Sequence, residues 1–168
     1  MAGQVIDIQQ AKQIGLRRLT TKSRSVAELR RHLLDKQVTQ PVADQVISRF
    51  IEVGLLDDTA FARSWVTTRQ VGKSASQAVL RRELVEKGID AAVISEVLAG
   101  DVLPDLEVAE NLARRRVKTM LGLDPVIVTR RLSATLARRG FSPSVVRRVV
   151  HQVVAETTGE VGNIDGDE

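Results

Sequence analysis

The feature that most limits what this chain can fold into is an internal repeat. Shifting the sequence by 51 residues carries Leu29, Arg30, Leu33, Val38, Val42 and Val46 onto Leu80, Arg81, Leu84, Ile89, Val93 and Val97, and Ser25 onto Ser76. A further shift of 52 carries Leu80, Leu84, Gly88, Ile89, Val93 and Val97 onto Leu132, Leu136, Gly140, Phe141, Val145 and Val149. Each copy reads as a helix, then a second helix with a Leu-x-x-x-Leu pair. A tight turn at Gly or Gln, a hydrophobic staple and a third helix rich in valine and isoleucine follow. Val and Ile cluster at helical spacing and no stretch alternates long enough for a strand. The expected fold is therefore all-α: three tandem three-helix repeats, about nine helices, in an elongated, curved arrangement. The repeats span 1–56, 57–103 and 104–156, and an acidic, Gly-containing tail, 157–168, has little to bury and is expected to be disordered.

Local signals agree with this division. Ile8, Ala11, Ile14 and Leu19 keep mostly helical spacing despite Gly15. Ser25-Val26-Ala27-Glu28 is a capping box that opens a second helix to about Lys36, with Leu29 and Leu33 as its i, i+4 core pair. Thr39 can cap a third helix, where Pro41 sits in the first turn and Val42, Val46, Ile47 and Phe50 form the buried stripe. Staples recur as Ile89 with Ile94 around Asp90 and as Phe141 with Val146 around Ser142, and Pro143 again takes a first-turn position.

The junction Gly54-Leu55-Leu56-Asp57-Asp58-Thr59-Ala60-Phe61-Ala62 closes one unit and opens the next. Gly54 suits a left-handed helix stop, and Asp57 can accept the free amides of the following first turn. Leu56 at N′ and Phe61 at N4 form a staple, and Asp58 suits the positive end of the macrodipole. Two adjacent carboxylates could instead serve acid/base or metal chemistry. No His, Cys or third acid stands at ligand spacing, so capping is the reading.

A chain of 168 residues can bury a core as one domain or as several small units. The absence of cysteine excludes a disulfide scaffold or thiolate metal site. The start, Met1-Ala2-Gly3-Gln4, lacks a signal region, and no run approaches the ~18 apolar residues of a membrane span, so a cytoplasmic protein is expected. Charge is uneven beneath a net of only +4: 9 basic against 5 acidic residues in 1–56, 6 against 7 in 57–103, 10 against 5 in 104–156, and 0 against 4 in the tail. Two basic ends around a neutral middle fit a protein that meets a polyanion or an acidic surface, although basic helices also occur without a ligand. The tail acids Glu160, Asp165, Asp167 and Glu168 are then candidates to compete with polyanions for the basic third repeat.

Enzymatic motifs fail. Val71-Gly72-Lys73-Ser74 ends like a phosphate-binding loop, but Thr67 stands where the pattern needs its first glycine and no apolar strand precedes it. Gly72 reads instead as the end of one helix, and Ser74 or Ser76 as the cap of the next. His32 and His151 lie in different units without acidic or sulfur company, so no metal, cofactor or catalytic triad is implied. His32 should be a partly solvated ring, and Trp65 should fill core one turn after Phe61.

What remains is arginine, whose planar fork suits phosphate or carboxylate. On a helical wheel Arg114, Arg115 and Lys118 fall opposite the stripe Ala109, Ala113, Val117 and Met120 and form one exposed basic face. Arg130, Arg131 and Arg138 lie on the next helix, the last two on a shared face. Arg147, Arg148 and His151 line the side of the last helix away from Val145, Val149 and Val153. Arg30 with Arg31 and Arg81 with Arg82 follow the same internal leucine in the first two repeats and make a second candidate surface. Such faces give salt-dependent nucleic-acid binding, whereas base stacking on aromatics is disfavoured in a chain with 2% aromatic residues.

The junction Gly-Leu-Leu-Asp-Asp with Phe61-Ala62, the preceding Ser25-x-x-Glu-Leu-Arg-x-x-Leu and the following Leu80-x-x-Glu-Leu-x-x-Lys-Gly-Ile together resemble the RecX family of recombination regulators. The resemblance covers about residues 11–155 and includes the triple three-helix plan. It implies a non-enzymatic regulator, active in homologous recombination, DNA repair and the SOS response, that binds the RecA recombinase filament on single-stranded DNA. Such proteins usually inhibit RecA strand exchange and ATP hydrolysis. Single-stranded DNA is the implied nucleic-acid partner, double-stranded DNA a further candidate, and the chain is expected to be a monomer. Helices of ~12 residues, each about 18 Å long, would let three units in a row touch more than one filament subunit. Two other classes compete: a stand-alone DNA-binding protein of the helix-turn-helix kind, and a scaffold for acidic proteins. No helix carries the Arg, Asn, Gln and Ser mixture that reads base edges, which weighs against the first.

Overall fold

A computed structural model of the chain describes residues 6–100 and 102–161. Among them are nine α-helices, one 3-10 turn and no strand. The helices are α1 (Ile8–Thr21), α2 (Val26–Asp35), α3 (Gln40–Glu52), α4 (Asp58–Lys73), α5 (Gln77–Glu86), α6 (Ala91–Ala99), α7 (Asp105–Val117), α8 (Pro125–Arg138) and α9 (Pro143–Val161). They group into two compact units, one of residues 1–65 with 82–100 and one of 66–81 with 101–168. Helices α4 and α5 contribute residues to both.

The repeated leucines account for most of the packing logic. Leu29, Leu33, Leu80, Leu84, Leu132 and Leu136 are all fully buried, and each such side chain contributes roughly 1.5–3 kcal/mol relative to exposure. In the first unit Leu29 and Leu33 pack with Val38, Val46, Ile47 and Phe50. Gly15 belongs there because a Cβ would stand 2.8 Å from the Phe50 ring, so the glycine lets α1 and α3 approach. In the second unit the pair Leu132 and Leu136 packs with Leu112, Val117, Val149 and Val153 from α7 and α9.

Each turn after a Leu-x-x-x-Leu helix passes through a left-handed residue: Gln37 (φ 64°), Gly88 (φ 73°) and Gly140 (φ 83°). At each, the next residue's amide returns to the second leucine's carbonyl: Val38 to Leu33, Ile89 to Leu84, Phe141 to Leu136. Gly54 is likewise left-handed (φ 72°), and the amides of Leu55 and Leu56 both reach the Phe50 carbonyl. Asp57 caps α4, accepting the Ala60 amide at 2.9 Å. The Ser25 capping box is complete in both directions.

Two connections recur from one repeat to the next. The carboxylate of Asp58, first residue of α4, accepts the amide of Val26, first residue of α2, at 2.9 Å. Asp105, first residue of α7, accepts the amide of Gln77, first residue of α5, at 2.8 Å. In each case the first helical residue of a repeat satisfies an unpaired amide at the start of the preceding repeat's second helix. The glycine turns dock at the same place. Ser25 Oγ donates to the Lys87 carbonyl at 2.6 Å beside Gly88, and the Ser76 amide donates to the Arg139 carbonyl at 3.3 Å beside Gly140.

Several expectations need correction. Thr39 is the N-cap residue of α3 but makes no side-chain cap bond, leaving Pro41 in the first turn to set the entry. Gly72 lies inside α4, which ends at Lys73; the left-handed stop is Ser74 (φ 49°), and Ser76 caps α5. Asp58 serves α2 directly as well as the start of its own helix. Helix α7 ends at Val117, and Lys118–Met120 tighten into a 3-10 turn, yet Lys118 stays exposed and Met120 packs partly buried against the core, on the sides expected of them. Residues 157–161 continue α9, with the Thr157 hydroxyl bonded back to the Val153 carbonyl. The rest of the acidic tail, 162–168, lies outside the described residues.

Candidate functional site

The basic residues separate by what their charges already touch. Arg30 pairs with Asp44 at 3.1 Å, and Arg82 stands 4.0 Å from Glu86. Arg31 and Arg81 are exposed and have no partner among the described residues. The face built from Arg114, Arg115 and Lys118 is not a free one. Arg114 is half-buried and bridges Glu110 on its own helix at 3.2 Å and Glu156 of α9 at 3.3 Å. Those bonds raise its pKa and, with Gln152, lower that of Glu156. Arg115 donates to the buried hydroxyl of Ser74 at 2.8 Å. The side chains of Lys118 and Arg116 remain exposed and without a charge partner among the described residues.

The phosphate-loop lookalike thus resolves into structure. Ser74 is a buried anchor for Arg115, and the Lys73 carbonyl accepts a bond from Arg139. Trp65 also departs from expectation. It is only half-buried, stacks with Phe61 at 6.0 Å, donates its indole N–H to Glu83 at 2.8 Å and carries Lys87 Nζ 4.2 Å from its ring centroid. Lys87 in turn bonds Glu28 of the Ser25 box at 2.7 Å, with both side chains only 18% exposed. Burial pushes the Glu28 carboxyl up, but Lys87, the Ser25 amide and Arg24 more than offset it, and the net shift is downward. His32 is half-buried, and burial together with Arg18 and Lys36 lowers its pKa.

On α8 and α9 the cations stand clear. The side chains of Arg130, Arg131, Arg147, Arg148 and His151 are all exposed and make no hydrogen bond or ion pair among the described residues. Arg138 makes only a 3.4 Å bond to Thr135. Arg147 and His151, one turn apart on α9, line a groove of about 430 Å³ whose α8 wall carries Thr129 and Ser133. Sequence reasoning does not single out those hydroxyls, although their i, i+4 spacing beside Leu132 is the available signal. Among the described residues, no group of three or more His, Asp and Glu could hold a metal ion, and no helix is long and apolar enough to cross a membrane.

The first, second and third three-helix domains of RecX match residues 11–50, 57–98 and 104–150 respectively. The chain belongs to the RecX family. Among its relatives, the regulatory protein RecX of Streptomyces coelicolor is 37% identical, over 96% of this chain and 86% of that protein. The regulatory protein RecX of Mycobacterium leprae is 42% identical over 90% and 88%. The crystal structure of RecX from Lactobacillus salivarius superposes with a TM-score of 0.74 at 20% identity, covering 88% of this chain and 96% of that one. At that identity the likeness shows the RecX fold alone.

Proposed function

We propose that this chain binds the filament that RecA recombinase forms on single-stranded DNA and modulates it, mainly by inhibiting strand exchange and ATP hydrolysis. The observation that carries the reading is the run of three RecX domains in order along the chain, with relatives named as regulatory proteins. In this reading the chain has no catalytic centre and acts as a cytoplasmic monomer in homologous recombination, DNA repair and the SOS response. The contact surface is assigned first to Arg130, Arg131, Arg147 and Arg148, whose charges are not occupied within the described structure, and then to Arg31, Arg81 and Lys118. Such a surface would act through phosphate or carboxylate recognition and weaken with salt.

The test is RecA-catalysed ATP hydrolysis and strand exchange on single-stranded DNA, with the purified chain titrated in. Inhibition that rises with the chain and weakens with salt is expected. Unchanged rates at stoichiometric excess would overturn the reading. Sequence-dependent duplex binding without any effect on RecA would instead favour the helix-turn-helix class.

A further inference from the structure

The α8–α9 groove does not end at its cationic walls. It shares Pro125, Val154 and Thr158 with a second depression of about 650 Å³, lined on its far side by Met120, Leu121 and Leu123. Leu121 is 67% exposed and Leu123 38%, so this is an open apolar cleft continuous with a strip of donors. No acidic residue lines the strip. The one acid of the cleft, Asp124, is held as the cap of α8 by the Val126 amide at 2.7 Å.

We propose that the groove and cleft together hold one nucleotide of a single DNA strand, its phosphate against Arg147 and His151 and its base against Leu121, Leu123 and Val154. This rests on the DNA half of the function proposed above and names the site. The chemistry favours a phosphate over a carboxylate. Two hydroxyls and an imidazole face the same space as the guanidinium, offering more donors than a carboxylate can use. Thr129 with Ser133, and Arg147 with His151, are each one helical turn apart, about 6 Å along the axis, so donors line a length of strand rather than a point. The cleft adds what a phosphate site alone lacks. A base freed from stacking has two apolar faces, and burying it against leucine and valine favours a single strand over a duplex, whose bases stay stacked.

The experiment measures anisotropy of labelled oligothymidylate and of an abasic oligonucleotide of equal length with the full chain, between about 50 and 200 mM salt. The wild type should bind the thymidylate several-fold more tightly than the abasic strand. Leu121→Ser and Leu123→Ser should erase that difference while keeping the salt slope; Leu121 is exposed enough that its replacement cannot be ascribed to misfolding. Arg147→Ala should weaken both strands and reduce the slope by about 0.7. Thr129→Val or Ser133→Ala should lower affinity about fivefold at unchanged slope. Equal binding of the two strands by the wild type, or an unchanged slope in Arg147→Ala, would overturn the proposal. So would variants that lose RecA inhibition but keep thymidylate binding, since the groove would then take an acidic apolar peptide and the filament reading would survive. Conversely, the expected oligonucleotide results with RecA rates untouched by the wild type would remove the filament reading and leave this site standing.

Discussion

The carboxylate of Asp58 accepts the amide of Val26 across 32 residues of sequence, at 2.9 Å. Burial pushes this carboxyl above its ordinary pKa, the Val26 amide opposes that shift, and Asp57 and Glu28 reinforce it. An acid with a raised folded pKa contributes stability below its unfolded pKa and loses it as pH rises through the folded one. Asp58→Asn keeps an acceptor for Val26 without the charge, so its stability relative to wild type should rise as pH rises from about 4 toward neutral. Asp58→Ala removes the acceptor and should cost about 1 kcal/mol. Denaturant midpoints at several pH values check both, and parallel pH dependence of wild type and Asp58→Asn would show that Asp58 is not the titrating group.

Glu28 responds with the opposite sign. Its lowered pKa means that stability is present above the unfolded pKa and lost as pH falls through the folded one. Glu28→Gln should therefore be less stable than wild type at neutral pH by about 1.5–3 kcal/mol, as for other hydrogen bonds to charged groups. The gap should close on acidification. Trp65 is the only tryptophan and lies under Lys87, so its emission should also change in Lys87→Met. Emission identical to wild type would mean that the ammonium does not sit on the ring.

Gly54 and Gly88 share almost the same left-handed φ but differ in surroundings. A Cβ on Gly54 meets nothing within 4 Å, whereas one on Gly88 would stand 2.4 Å from the Cβ of Ala27. Gly54→Ala should cost only the backbone penalty, roughly 1–2 kcal/mol. Gly88→Ala adds overpacking of about 1–3 kcal/mol more. Thermal melts of the two variants rank them, and equal losses would mean that the Gly88 turn does not press on α2.

The sequence is most legible where the signal is local. The Ser25 box, the Gly54 stop and the left-handed turns at Gln37, Gly88 and Gly140 each depend on residues within one helical turn, and the leucine pairs depend on a fixed period. The connections Asp58 to Val26 and Asp105 to Gln77 link residues 32 and 28 apart, for which periodicity carries no sign. Arg115 is exposed as expected, but its partner is illegible for the same reason. A helical wheel places it opposite the core stripe, but does not show that Ser74, 41 residues earlier, stands there to receive it. Gly72 misleads because glycine is favoured at a helix stop, whereas the left-handed residue that ends α4 is Ser74.

Arg114 is the sharpest case, because its place on the wheel suggests a contact residue and its partners argue for a clamp between α7 and α9. Reversing Arg114, Arg115 and Lys118 together should therefore not leave the fold native: Arg114→Glu would put a third carboxylate beside Glu110 and Glu156. The expected outcome is a lower melting temperature for Arg114→Glu, partly restored by Glu156→Lys, while Arg148→Glu melts as wild type. Salt should narrow the gap, since ion pairs and like-charge repulsions at the surface weaken as ionic strength rises. The Glu156 carboxyl, lowered by Arg114 and then by Gln152, contributes stability above its unfolded pKa, so acid should weaken wild type more than Glu156→Gln. A normal melt for Arg114→Glu with lost salt-dependent DNA binding would return this residue to the contact surface and leave α7 and α9 held by their apolar packing alone.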